Sequence, residues 1–318
     1  MSTAAPSCPD QFKPSFGLRS AHAQTILSSS INPVLMANRR RSFGAPGEDR
    51  VLEVSDGVRL HAVLHERPDA PLVVLLHGWL GGADSVYMLS VAGKLERAGY
   101  AVARLNLRDH GGSEHLNEEM FHSARIQEVV EAVQALTASR APERCALLGF
   151  SLGGNFALRV SARTGLYAVA CCPVIDPAIA MPAIDASPIY RRFFVRKWQR
   201  ALRAKAAAHP DRYDFGRAAS LGTVSELTDY FVAQHTEYPS SPEYFDAYSV
   251  AGTRLSDAHA TIIAAADDPV IPASSFAKLP SHLDLVLTDR GGHCGYLANW
   301  RFESWFDSKA LERLQRVF

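Results

Sequence analysis

An uninterrupted apolar run, Leu-Val-Val-Leu-Leu at Leu72–Leu76, limits how this chain can fold. A strand with alternating polar residues can leave one face in water, but a strand without them must be covered on both faces. Further strand signals occur at 101–105, 145–149, 168–172, 261–266 and 283–287. Segments with helical spacing lie between them, at 86–98, 123–138 and 152–162, and a last one covers 303–317. In the second of these, Ile126, Val129, Val130, Val133 and Leu136 fall on one stripe. Strands alternating with helices predict an α/β fold, a mostly parallel central sheet of about eight strands flanked by helices. Two further strand-like stretches, 51–54 and 59–65, flank Asp56-Gly57, a hairpin turn signal.

Two regions fall outside this rhythm. Residues 1–50 read as an irregular N-terminal leader packing on the core, broken by Pro6, Pro9, Pro14, Pro33 and Pro46, with a solvated basic cluster at Arg39-Arg40-Arg41. Residues 185–250 lack strand signals and carry helix-like and aromatic segments, as expected of a helical lid inserted into a domain that otherwise spans 51–318. The length of 318 residues accommodates that domain and a sizeable core without disulfides.

Several function classes drop out on composition. Lys plus Arg and Asp plus Glu number 33 each, so no global basic field favours nucleic acid. The five cysteines, Cys8, Cys145, Cys171, Cys172 and Cys294, form no C-x-x-C pair, which removes zinc-ribbon and thioredoxin-like readings. Cys145 and Cys171 sit in apolar runs and read as buried thiols of a reducing compartment. The first 14 residues lack a secretory pattern and no stretch of 18 apolar residues occurs, so the expected location is cytoplasmic, without a transmembrane segment. No P-loop or G-x-G-x-x-G follows a strand, and His110, His115 and His122 lack a metal-ligand spacing. No cofactor and no metal are expected.

The chemistry-bearing motif is Gly149-Phe150-Ser151-Leu152-Gly153, a G-x-S-x-G between an apolar strand and a helical segment. That context lifts a serine hydroxyl clear of a sheet on a sharp turn, with glycines permitting close backbone approach. A serine needs a base to take its proton. His293, between glycines in Arg290-Gly291-Gly292-His293-Cys294-Gly295 after the last strand, is the candidate. The base needs an orienting carboxylate. Asp268, directly before Pro-Val-Ile-Pro, is preferred; Asp267 is the alternative, with a role in orienting the loop, and Asp176 beside Pro177 reads as a cap. The chain order Ser, Asp, His is that of the α/β-hydrolases. Two backbone amides are needed for an oxyanion. Leu152, after the serine, and Trp79, in His77-Gly78-Trp79-Leu80-Gly81-Gly82, are the candidates. His110, in Arg108-Asp109-His110-Gly111-Gly112-Ser113, reads as part of a structural turn.

Taken in order, H-G-W-L-G-G (77–82), R-D-H-G-G-S (108–113), G-F-S-L-G-G-N (149–155), A-D-D-P-V (266–270) and G-G-H-C-G-Y (291–296) resemble the α/β-hydrolase superfamily. F-K-P (12–14), H-A-Q-T-I (22–26), the N-F-A-L run after the serine and the tyrosine-rich stretch 238–248 resemble its YheT-like branch. The resemblance implies an eight-stranded core with a helical cap, a triad of Ser151, His293 and Asp268, and esterase chemistry on a small-molecule ester or lipid-like substrate. Cys294 stands where aliphatic residues are commoner in such loops. Thioester hydrolysis or acyl transfer by the same triad, or a non-catalytic interaction role, are the rival functions. The basic stretch Arg191-Arg192, Arg196-Lys197, Arg200, Arg203 and Lys205 interleaves with Phe193, Phe194, Trp198 and Leu202. It reads as a lid helix with an aromatic stripe on the core and a solvated basic face, with peripheral contact to an anionic membrane as the rival. Oligomeric state is not legible.

Overall fold

The computed structural model describes residues 11–29 and 47–318. The strands are β1 (Glu48–Glu53), β2 (Arg59–His65), β3 (Leu72–Leu76), β4 (Ala101–Leu105), β5 (Cys145–Phe150), β6 (Tyr167–Cys171), β7 (Ala260–Ala265) and β8 (Asp284–Thr288). They form one sheet in the order β1-β2-β4-β3-β5-β6-β7-β8. β2 runs against its neighbours β1 and β4, and every other pairing is parallel. The helices are α1 (Ala21–Ser29), α2 (Val86–Arg97), α3 (Gln127–Thr137), α4 (Leu152–Thr164), α5 (Pro177–Ala186), α6 (Pro188–Ala208), α7 (Val224–His235), α8 (Ser241–Tyr248) and α9 (Trp305–Gln315). This is an α/β-hydrolase fold.

The apolar run Leu72–Leu76 lies in the middle of the sheet, and the period of two along it splits the core. Val74 and Leu76 pack in the layer that holds Val129 and Val133 of α3 and Phe156 and Val160 of α4. Val73 and Leu75 face the layer of Met88, Val91 and Leu95 from α2 and Phe306, Ala310 and Leu314 from α9. Full burial of each such side chain contributes about 1.5–3 kcal/mol. Leu76 pairs with both Leu105 and Gly149, Phe150 with Cys171, and Ala265 with Thr288. The carboxyl ends of β3, β5, β6, β7 and β8 therefore come into register along one edge, where open α/β sheets bind ligands.

Some boundaries differ from the sequence reading. The helix expected over 123–138 starts at Gln127, because the Ser123 N–H donates to the Tyr244 hydroxyl and its carbonyl accepts from Arg159. The insertion expected at 185–250 begins earlier, at Pro177, and runs through α5, α6, α7 and α8. Asp176 caps α5 by accepting from the Ala178 N–H at 2.9 Å. The segment expected to be an irregular leader contains α1. Pro6, Cys8, Pro9, Pro33, Arg39-Arg40-Arg41 and Pro46 lie outside the described residues. Among the described residues no helix is long and apolar enough to cross a membrane.

Candidate active site

Ser151 sits between β5 and α4 with φ 52° and ψ −116°, a conformation that an L-residue adopts only under constraint. The glycines of the motif make it feasible. A Cβ on Gly149 would lie 2.1 Å from the Gly153 carbonyl oxygen, and one on Gly153 would lie 2.2 Å from that of Leu76. The turn is held from the next strand, where the Cys171 carbonyl accepts the Ser151 N–H at 2.8 Å.

His293 reaches Ser151 across the sheet edge. Its Nε2 lies 2.9 Å from Ser151 Oγ, and its Nδ1 lies 2.9 Å from Asp268 Oδ2. An Nδ1–H donated to the carboxylate leaves the Nε2 lone pair facing the serine hydroxyl. The other Asp268 oxygen accepts the N–H groups of Val270 and Ile271 at 2.7 and 2.9 Å. Pro269 has no N–H, so the chain turns before the next amides can donate, which explains the Asp-Pro-Val-Ile order. Burial alone would push the His293 imidazole down, but the Asp268 charge and hydrogen bond hold it above the ordinary histidine value. Asp267 points instead at the histidine loop, accepting the Gly292 N–H at 2.9 Å.

The loop after β3 presents the second group. Its amides find acceptors almost throughout: Gly78 on the Tyr87 hydroxyl, Leu80 on His110 Nε2, Gly81 on the Gly78 carbonyl, Gly82 on Ser85 Oγ and Ala83 on Asn106 Oδ1. Among the described residues no acceptor meets the Trp79 N–H or the Leu152 N–H, the latter in the first turn of α4. His77 and His110 hold the loop as neutral rings. Each has Nδ1 on a carbonyl oxygen, of Gly78 or Arg108, and accepts a backbone N–H at Nε2, from Leu107 or Leu80. Burial, above all, pushes them down to about 3 and about 4.

The sequence reading missed two residues that hold the histidine loop. Thr25 of α1 accepts the His293 N–H at 2.9 Å. Gln24, fully buried, donates to the Leu18 and Leu297 carbonyls and accepts the Leu297 N–H at 2.7 Å. The H-A-Q-T-I segment was the available signal, but nothing local tied it to residues some 270 positions away.

A cavity of about 370 Å³ opens on Ser151 and His293. Trp79 stacks on Phe194 at 5.7 Å between ring centroids and meets Trp198 edge-on at 4.9 Å. Tyr190 and Phe231 complete that wall. Tyr190 is tied to α1 through its hydroxyl, 2.7 Å from His22 Nδ1. The basic face of α6 is solvated only in part. Arg192, Arg196, Arg200 and Arg203 are exposed, but Lys205 is fully buried, with its Nζ donating to Asp109 Oδ1 at 2.8 Å and to the Asn117 carbonyl at 2.7 Å. Phe193, expected on the core stripe, is 46% exposed.

A model of the alpha/beta hydrolase family matches residues 73–302, from β3 to the start of the last helix region, and so spans all the loops just described. The chain belongs to the alpha/beta hydrolase family. Within it this hydrolase is YheT-like. It is 24% identical to "Putative esterase YheT" of Escherichia coli K12, over 94% of this chain and 91% of that protein. It is 25% identical to the "Medium-chain fatty acid ethyl ester synthase/esterase 2" of Saccharomyces cerevisiae, over 72% of this chain and 58% of that one. The esterase Pf2001 of Pyrococcus furiosus shares the fold at a TM-score of 0.55 and 17% identity, covering 87% and 92% of the two chains.

Proposed function

We propose that this alpha/beta hydrolase cleaves carboxylic esters through an acyl-enzyme on Ser151. The observation that carries the proposal is the unbroken line Asp268–His293–Ser151, with both contacts at 2.9 Å. His293 Nε2 takes the hydroxyl proton as Oγ attacks the ester carbonyl. The Trp79 and Leu152 amides receive the oxyanion. His293 then returns the proton to the leaving alcohol, and a water activated by the same nitrogen releases the acid. Asp268 holds the ring in one tautomer and stabilises the imidazolium. The aromatic cavity favours an apolar acyl chain, as do the fatty acid ester substrates named for the yeast relative. Incubating the protein with a fluorophosphonate and weighing it intact tests this. One probe per chain, absent in Ser151→Ala, supports the reading. Failure of the folded protein to label overturns it in favour of a binding role. Comparing acyl-CoA thioesters and added alcohols with simple esters separates thioesterase and acyltransferase activity from hydrolysis of esters.

A second reading concerns where the substrate comes from. The 21-residue α6 carries seven Lys and Arg and no acidic residue, in a chain of net charge zero. Ile189, Arg192, Phe193, Arg196, Arg200 and Arg203 share the exposed stripe, and Ile189, Phe193 and Ile26 are exposed residues that line the cavity. Apolar residues at a cavity mouth, ringed by cations, fit peripheral docking on an anionic bilayer. Co-sedimentation with phosphatidylglycerol vesicles that weakens with salt supports it; equal binding to phosphatidylcholine vesicles, or none, overturns it.

A further inference from the structure

Three thiols meet behind the histidine loop. Cys171 ends β6, Cys172 follows it with φ 43°, and Cys294 follows His293. Their sulfurs all lie within 4.8 Å of one another. The Cys294 N–H donates to the Cys172 sulfur at 3.4 Å, and the Cys172 thiol faces the Gly292 carbonyl at 3.7 Å. Cys171 and Cys172 are buried, whereas Cys294 is half-buried and lines the cavity beside Ser151. The acyl-transfer steps use none of the three.

We infer that Cys294 is a site of covalent thiol oxidation, which takes a hydroperoxide from the cavity and resolves as a disulfide with Cys172. In the first step the Cys294 sulfur attacks one peroxide oxygen. The O–O bond breaks, an S–O bond forms, and with hydrogen peroxide the leaving hydroxide takes up the Cys294 thiol proton as water. In the second step the Cys172 sulfur attacks the sulfenic sulfur, the S–S bond forms, and the S–O bond breaks with release of water carrying the Cys172 proton. Two thiols lose two electrons and one peroxide gains them.

Two features assign the roles. Cys294 alone of the three faces the cavity, so it meets the oxidant first. Burial pushes its thiol up, but hydrogen bonds from the Cys171 and Cys172 thiols outweigh that and bring it down to about 6, while burial holds the other two well above the usual value. Cys172 is the resolving partner because it lies beyond the end of β6 and already contacts the loop. Cys171 is fixed between β5 and β7, with its carbonyl engaged by the Ser151 N–H.

Closing the sulfurs to the roughly 2.05 Å of an S–S bond draws the loop toward β6. That movement changes the 2.9 Å approach of His293 to Ser151. The effect on hydrolysis rests on the proposed function; the disulfide itself does not. The test treats the full chain with hydrogen peroxide, blocks free thiols, and maps peptides by mass without reduction. We expect a Cys172–Cys294 cross-link, lost in Cys294→Ser, retained in Cys145→Ser, and reversed by dithiothreitol. Ester hydrolysis should fall by at least about tenfold in step with the cross-link, since a misplacement of ~1 Å has effects of that order, and return on reduction. An untouched Cys294, its conversion to sulfinic or sulfonic acid without a cross-link, or a link to Cys171, Cys145 or Cys8 instead would overturn the assignment. An untreated protein that hydrolyses no ester counts against the ester reading and leaves the peptide map decisive for the disulfide.

Discussion

The edge of the sheet and the helices inserted between β6 and β7 are built from different materials. At the edge, positions are fixed by backbone: β5 and β6 hold Ser151, the amides of Val270 and Ile271 hold Asp268, and Gly292 and His293 donate to Asp267 and Thr25. The wall those helices share with the loop after β3 is side-chain packing: Trp79 contacts Phe194 and Trp198, and Trp198 contacts Phe231. A proton relay tolerates little displacement, whereas an apolar wall needs only volume and shape. Chemistry and substrate choice can therefore change separately, and variants in the two regions should fail in different ways.

The largest separation is expected from Ser151→Ala. The kcat for a p-nitrophenyl ester should fall by roughly 10⁶-fold with the melting temperature nearly unchanged. Asp268→Asn comes next, at about 10⁴-fold in kcat. It also carries a pH signature. In the proposed mechanism His293 must be neutral, so its raised value predicts an acid limb of the wild-type rate profile above the ordinary histidine range. Removing the Asp268 charge leaves burial as the main influence, so the limb moves to lower pH. A limb that stays in place would show that another group controls it.

Lys205→Met tests the joint between the regions. Lys205 belongs to α6 of the insertion, yet its partners Asp109 and Asn117 belong to the loop after β4. Burial pushes the lysine down and the Asp109 carboxyl up, and their mutual attraction only offsets this in part. Loss of the cation leaves a buried carboxylate without its partner, so unfolding in urea should show a stability loss of about 3–5 kcal/mol. Activity per folded molecule should stay within about tenfold of wild type, because Ser151, His293 and Asp268 keep their own backbone anchors.

The same division explains what could be read in advance. Sheet-edge positions were legible because each motif is local: a Gly-x-Ser-x-Gly announces its turn, and an acid pair before Pro269 ends a strand run, although only the structure separates Asp268 from Asp267. The run Leu72–Leu76 was legible because a strand buried on both faces favours a continuous apolar composition. Lys205 was not, since a lysine in a basic helix carries no mark of the carboxylate 96 residues away. Phe193 and Trp198 look alike in sequence, and only the packing of α6 exposes one and buries the other. Gln24 and Thr25 were seen as a family mark, while their task was hidden by the separation from the loop they hold.

Thr25 gives the finest test, because α1 belongs neither to the sheet edge nor to the inserted helices. If its role is to fix the histidine backbone, it belongs functionally with the edge. Thr25→Val keeps the shape and removes the acceptor for the His293 N–H. An unsatisfied buried donor costs about 1–3 kcal/mol, enough to lower kcat about tenfold if the strain is relieved by moving the loop. Thr25→Ser restores an acceptor and should recover most of the rate. The acid limb of the pH profile should move far less than in Asp268→Asn, since both variants keep the Asp268 charge beside the imidazole. A loss in Thr25→Val seen only as a higher KM would place Thr25 with the cavity wall, which it also lines, and would assign α1 to the substrate side of the division.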